Sequence, residues 1–273
     1  MKKTVRKLGA TVLVWFILLL ALFPIYWTVS SSFKKSSEVH MLPPKFLFQP
    51  SLDGYAYVIG RTQVLSCMVN SLIICGSTVL IALLLGVPMA YALSRFQFKS
   101  KKNLSFWIVS LRMAPPVVSI IPWFLILQKS GLYDTKIALT AIYLTFTIPF
   151  VIWMVRGYFG QVPIELDEAA YVEGCSRTQI IIRVILPLIK PGIISTAIMS
   201  FIFCWNEFFF SFLLTGNKAK TVPVAINGFI TMTGTRWDEL TAAGTLVAMP
   251  ILIMSLLCGK HFISGLLEGA LKE

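Results

Sequence analysis

Between two long apolar runs the chain carries a polar, acidic stretch, Pro163-Ile164-Glu165-Leu166-Asp167-Glu168-Ala169-Ala170-Tyr171-Val172-Glu173-Gly174. Pro163 suits the first position of a helix, where a missing N–H costs nothing. Glu165, Asp167 and Glu168 fall in the first turns, where the helix dipole favours negative charge. Gly174 suits the left-handed residue that ends a helix. Ser176 to Gln179 then matches a capping box that opens a second helix, and Pro187 and Pro191 break the chain before the next apolar run. The stretch therefore predicts two short helices joined at Gly174. Ala169 and Ala170 give the first of them a low face that another surface can approach closely. An ordinary solvated loop helix would show the same caps.

Polar side chains inside the apolar runs form a second group. Arg112, Asn206 and Glu207 would be costly in a bilayer unless each faced a cavity or a partner. They either tie helices together or line a solute path, and Asn70 stands near the start of another run. Trp205, Trp123 and Trp153 offer flat rings on which a ring-shaped solute could stack, although membrane Trp is more often an interface anchor. His40 and His261 are too isolated for a metal site or a proton relay. Cys67, Cys75, Cys175, Cys204 and Cys258 show neither a zinc spacing nor a disulfide framework. The phosphate-cradling loop Gly-x-x-x-x-Gly-Lys-Ser/Thr is absent, because the only Gly-Lys pair is Gly259-Lys260 and position 254 is Met. Any ATP chemistry belongs to another chain.

These residues sit in a frame built for lipid. Of 273 residues, 56% are hydrophobic and 13% charged, against about 25% charged in soluble domains, and the mean hydropathy is +0.79. The net charge of +12 is spread over the ends of apolar runs. It is not gathered into a patch for nucleic acid, and so it reads as charge flanking membrane helices. A span needs about 20 apolar residues, and six runs qualify: 9–29, 66–93, 104–127, 137–158, 192–214 and 241–259. The first follows Lys2, Lys3, Arg6 and Lys7, a charge pattern shared with cleaved signal peptides. Its length, and the lack of a small-x-small site after it, predict an uncleaved anchor. Pro115, Pro116 and Pro122 interrupt the third run, which membrane helices tolerate when neighbours or water satisfy the freed carbonyls. Lys and Arg placement puts both termini and the 160–190 loop in the cytoplasm, with loops 30–65 and 215–240 outside. The expectation is an all-α polytopic membrane protein, with one transmembrane domain over 1–273.

Glu168-Ala169-Ala170, three residues, Gly174, nine residues, then Val184-x-Leu186-Pro187 resembles the cytoplasmic EAA signature of bacterial ABC importer permeases, with Val184 where the family usually has Ile. Trp205-Asn206-Glu207-Phe208 is similar to the family's WNEF segment, Asn70-Ser71 opens the second span as in its relatives, and Gly265 to Lys272 resembles its C-terminal tail. The resemblance covers essentially the whole chain and points to the carbohydrate-uptake branch, among its shorter six-helix subunits. It implies the type I ABC importer permease fold in a bacterial inner membrane, working by alternating access. It implies as partners a second homologous permease, two ATPase subunits and an extracytoplasmic solute-binding protein. It implies no cofactor in this chain, with ATP and Mg held by the ATPase. Glu168, Ala169, Ala170, Gly174, Leu186 and Pro187 would form the element that couples to the ATPase, while Asn206, Glu207, Trp205, Arg112 and Asn70 are candidates for the solute path. The same machine for a glycerol phosphodiester, a polyamine or phosphate is the near alternative, and an ion-driven transporter the remote one.

Overall fold

The structure, a computed structural model, describes the backbone of residues 2–231 and 234–270, and side chains over 7–256 except at 8, 232 and 233, together with Gly259. Lys2, Lys3, Arg6, Cys258, His261 and the tail from Gly265 to Lys272, all singled out in the sequence, lie outside the described side chains.

Helix α1 (Lys2–Ser32) is apolar on every side of its span, with Val12, Trp15, Leu19 and Phe23 all exposed. A helix apolar all round belongs in lipid or inside a larger assembly. Two short helices, α2 (Ser36–Val39) and α3 (Asp53–Arg61), follow in the polar loop. Helix α4 (Val64–Arg95) has 32 residues, about 48 Å at 1.5 Å per residue. Helix α5 (Lys101–Ser110) stops before Pro115, and α6 (Pro116–Lys129) starts with a proline at its first position. Helix α7 (Lys136–Phe159) is capped by the Thr135 side chain, which accepts from the Ala138 N–H at 3.3 Å. Helices α8 (Glu165–Val172) and α9 (Arg177–Gln179) come next. Helix α9 passes into a wide π turn (Ile180–Ile185) and then α10 (Leu186–Leu188). The widening lies just before Pro187, which has no N–H to give and crowds the carbonyl four residues back. Helix α11 (Lys190–Trp205) leaves this segment at 83°. Helices α12 (Phe209–Leu214) and α13 (Val222–Asn227), the pair β1 (Ile230–Thr231) and β2 (Gly234–Thr235), and α14 (Trp237–Ala270) complete the order. The two strands are antiparallel, with Ile230 opposite Thr235.

All six predicted apolar runs are helical, but two are broken. The run 104–127 is α5 and α6 with a non-helical turn around Met113–Pro115, where proline removes two ladder donors. The run 192–214 is α11 and α12, separated at Asn206–Phe208. Among the described residues, four helices are long and apolar enough to cross a membrane, or five if the bent pair Arg177–Leu188 and Lys190–Trp205 counts as one.

The chain divides into two compact units, Met1–Ser66 with Ala225–Met249, and Cys67–Val224 with Pro250–Glu273. In the first, Gly54 lies so close to α14 that an added Cβ would sit 2.7 Å from the Asp238 carbonyl oxygen. The Ser32 and Tyr55 hydroxyls hydrogen-bond at 2.7 Å. Lys34 is buried over the Trp27 and Phe48 rings. That burial lowers its ammonium below the usual lysine range, against the pull of Glu38.

In the second unit α4 packs on α7 around Ala82, Leu93, Val151, Val155 and Phe159, with Ile180 beneath. Gly86 permits the close approach, since a Cβ there would meet Val151 Cγ1 at 2.7 Å. Gly192, just past the 83° bend, rests on the Tyr158 ring, where a Cβ would fall 2.5 Å from Cγ.

Candidate functional site

The two short helices and their glycine joint are present. Gly174 has φ +85°. Its N–H donates to the Tyr171 carbonyl at 3.0 Å, and the Cys175 N–H reaches back to Ala170 at 3.0 Å, the paired bonds of a Schellman ending. Ser176 and Gln179 close the capping box, with Ser176 N–H to Gln179 Oε1 at 2.8 Å and Gln179 N–H to Ser176 Oγ at 3.4 Å. Glu168, Ala169, Gly174 and Pro187 are exposed, and Leu186 is half-buried. One detail differs from the sequence reading. Ala169 and Ala170 do not share an outward face, because Ala170 is buried in the core below α8. Consecutive helix positions are about 100° apart, so the two alanines cannot face the same way.

The residue that holds α8 down is Asp167, which in the sequence reads only as a dipole partner. It is buried. Its Oδ2 accepts from Tyr91 Oη at 2.7 Å and from Arg95 Nε at 3.3 Å, and its Oδ1 lies 3.2 Å from Arg95 Nη2. The same Nη2 donates to the Val162 carbonyl at 2.8 Å. The ion pair is almost dry, with side-chain exposures of 9% and 4%. Such a pair is weak evidence for stability but expensive to break from one side. Arg177 adds a second tie, with its guanidinium 4.8 Å from the Tyr171 ring and 5.5 Å from that of Phe96.

At the break between α11 and α12 the first N–H groups of α12 need partners. Glu207 supplies them. Its Oε1 accepts from Phe210 N at 2.9 Å, and its Oε2 accepts from Ser211 N at 3.2 Å and from Tyr143 Oη at 2.8 Å. The carboxylate is thus used inside the bundle as a helix cap. Trp205 is 2% exposed and stacks on Phe201 at 5.5 Å; as a core ring it has no face open to a solute here. Asn206 is exposed, and its Nδ2 donates to the Ile202 carbonyl at 2.9 Å.

Arg112 stands in the turn between α5 and α6, exposed, 4.9 Å from the Phe150 ring and 5.6 Å from that of Trp153. It lines a cleft of about 220 Å³ with Phe146, Thr147, Phe150 and Phe203. Trp123 lies on α6, half-buried, and does not line this cleft.

Asn70 is buried and gives its amide to the Lys218 carbonyl at 2.9 Å and the Lys220 carbonyl at 3.1 Å. Its amide is thus committed to the loop that carries Lys218 and Lys220. Ser71 Oγ accepts from the Val222 N–H at 3.0 Å. Asp134, missed in the sequence, holds the same loop from the other side. Its carboxylate accepts from the N–H groups of Asn217, Lys218 and Ala219 at 3.0, 3.0 and 2.9 Å. Burial opposes ionisation there, but the backbone donors from Ala219, Lys218, Gly216 and Asn217 outweigh it and hold the carboxyl below the usual aspartate range. The backbone of Asp134 is left-handed, φ 56°, which Asp tolerates better than most residues.

The profile of the family described as binding-protein-dependent transport system inner membrane component matches residues 82–265. A probable ABC transporter permease protein of Sinorhizobium fredii is 33% identical over 271 residues, covering 99% of this chain and 97% of that protein. The trehalose/maltose transport system permease protein MalG of Thermococcus litoralis is 34% identical over 258 residues, covering 93% and 92%. In three dimensions a chain of a bacterial ABC transporter that imports the acidic polysaccharide alginate superposes with a TM-score of 0.79 at 22% identity, covering 96% of this chain and 98% of that one. The chain is thus a member of the binding-protein-dependent transport system inner membrane components, a permease subunit of an ABC importer.

Proposed function

We propose that this chain forms half of the translocation path for a sugar or sugar-derived solute. The observation that carries the mechanism is the α8 helix, exposed at Glu168 and Ala169 and ended by a left-handed glycine that seals its own backbone bonds. Helix α8 docks on a separate ATPase subunit, which supplies ATP and Mg, and the 160–190 loop carries nucleotide-driven motion to the membrane helices. The whole chain acts as one permease domain with six spans, α5 with α6 and α11 with α12 each counting once. Both termini are cytoplasmic. A second homologous permease, two ATPase subunits and an extracytoplasmic solute-binding protein complete the machine. The named relatives support the sugar class, since among them are a trehalose/maltose permease and a diacetylchitobiose uptake permease. Within this chain the path runs past Arg112 and its aromatic cleft and the exposed Asn206, where rings can lie against the apolar face of a sugar.

Gly174→Val tests the coupling. A β-branched residue at φ +85° costs about 2 kcal/mol and opens the turn. Reconstituted complexes should then lose solute-stimulated ATP hydrolysis and uptake, while the free ATPase keeps its basal rate. Full stimulation in the variant would show that this loop is not the coupling element. Uptake assays with mono- and oligosaccharides test the solute class, and transport of none of them would remove the sugar assignment.

A further inference from the structure

We propose that α4 is a lever that joins the coupling helix to the 215–222 loop, an inference that rests on the coupling role proposed for α8. Three observations on one helix carry it. Near one end, Tyr91 and Arg95 hold Asp167 of α8 through contacts of 2.7, 3.2 and 3.3 Å. Toward the other end, Asn70 and Ser71 hold Lys218, Lys220 and Val222 through bonds of 2.9, 3.1 and 3.0 Å. Between them, Gly86 brings α4 into close approach on Val151 of α7.

Asp167 directly precedes the exposed Glu168 and Ala169. A push on that face of α8 therefore reaches the buried carboxylate and, through it, the guanidinium of Arg95, the one ion pair among the described residues of this unit. The pair is dry and bound from several directions, so it transmits displacement and does not slip through water. At Gly86 α4 lies against Val151 of α7 with no room for a side chain, and that contact serves as the fulcrum. From Gly86 to Tyr91 and Arg95 the arm is about 8–14 Å, and from Gly86 to Asn70 and Ser71 about 23 Å, at 1.5 Å per residue. A shift at α8 then appears at the 215–222 loop enlarged about twofold. Pro88 lies in the short arm, and the helix runs on through it to Arg95. At the far end Asp134, bound to three N–H groups of the loop, keeps residues 217–219 together as one body that the lever can move.

The test uses the full complex with its ATPase, second permease and binding protein in proteoliposomes. Spin labels at Lys129→Cys and Asn217→Cys report the position of the loop with and without ATP, and uptake is measured per ATP hydrolysed. Arg95→Gln strands the buried Asp167 carboxylate and should lower the yield of complex, and the complex that does assemble should lose the ATP-dependent distance change and show uptake per ATP lower by roughly tenfold. Asn70→Ala should lower the same ratio, and the double variant should be no worse than the poorer single one, because both cut one linkage. An unchanged distance change in Arg95→Gln, or losses that multiply in the double variant, would overturn the lever. If Arg95→Gln does not assemble, Tyr91→Phe decides by the same two readouts, with an expected loss of about fivefold. A merely structural pair would lower the amount of complex and leave uptake per ATP unchanged. Ala169→Trp separates the two levels. Retained stimulation in Ala169→Trp defeats the coupling role of α8 itself, whereas lost stimulation together with normal loop motion in Arg95→Gln defeats the lever alone.

Discussion

Glu207 decides between a helix cap and a solute contact, and Glu207→Gln is the sharpest perturbation of it. The carboxylate accepts three hydrogen bonds, from Phe210 N, Ser211 N and the Tyr143 hydroxyl. A glutamine offers one oxygen and one NH2. With the oxygen toward Phe210, the NH2 faces the Ser211 N–H; with the amide turned round, it faces the Phe210 N–H. Either way one backbone donor loses its acceptor, and the surviving bonds lose the charge that strengthened them. An unsatisfied buried donor costs about 1–3 kcal/mol, and the loss of charge assistance adds about 1 kcal/mol. A total near 3 kcal/mol shifts a folding or assembly equilibrium roughly 150-fold. The assay is a heat challenge of the detergent-solubilised protein, read as the fraction that stays monodisperse. Glu207→Gln should melt earlier than the parent and Glu207→Ala earlier still, while the complexes that do assemble transport at close to the parent rate. A variant with the parent's heat resistance and no uptake would refute the cap and place the carboxylate in the path.

Asp134→Ala should loosen the 215–222 loop by about 1–2 kcal/mol, discounted for its partial exposure, and lower the exchange protection of the 217–219 amides about tenfold. A carboxyl whose folded pKa is depressed contributes stability that is complete above its unfolded value near 4 and is lost only as pH falls through the lower folded value. Protection in the parent should therefore stay flat from pH 8 to pH 5, and a decline within that window would contradict the held-down carboxyl of Asp134. Gly192→Ala should destabilise by about 1–3 kcal/mol, because its Cβ would overlap the Tyr158 ring; a melting point equal to the parent's would show that the ring moves freely. Cysteine substitutions in 160–190 should label only from the cytoplasmic side, and labelling from outside would reverse the orientation proposed from Lys and Arg placement.

Local signals in the sequence are faithful, and distant pairings are invisible. Gly174, Ser176 and Gln179 specify their turn through neighbours a few residues away, and the structure has that turn; Pro163 instead lies two residues before the first residue of α8, Glu165, whose N-cap is Ile164. Asp167 and Arg95 are 72 residues apart. Read singly, one is a helix-dipole acid and the other a basic stop after a span, and nothing local says that they meet. Glu207 and Tyr143 are 64 apart, and Asn70 and Lys218 are 148 apart. For Asn206 and Glu207 the sequence leaves the choice between tie and path open, because a polar group inside an apolar run needs a partner in either case. Asp134 has one cue, a lone acid between a glycine turn at Gly131 and the helix-capping Thr135, a place where a carboxylate has backbone donors within reach. Runs 104–127 and 192–214 look continuous because hydropathy averages over the short breaks that split them.

The span of α1 and that of α7 differ in how much each residue must specify. None of the most apolar window of Gly9–Ser32 is buried against its own chain, while half of that in Lys136–Phe159 is. A position on α7 has to name one shape, since its neighbours accept little else. A position on α1 has only to name a class, greasy and helix-compatible, as far as the folding of this chain is concerned. Scrambling the apolar letters of α1 among themselves would leave its message readable, and the same operation on α7 would erase it. The information that specifies this permease is thus stored unevenly along segments that are all apolar enough to span, and hydropathy alone does not reveal where it is kept.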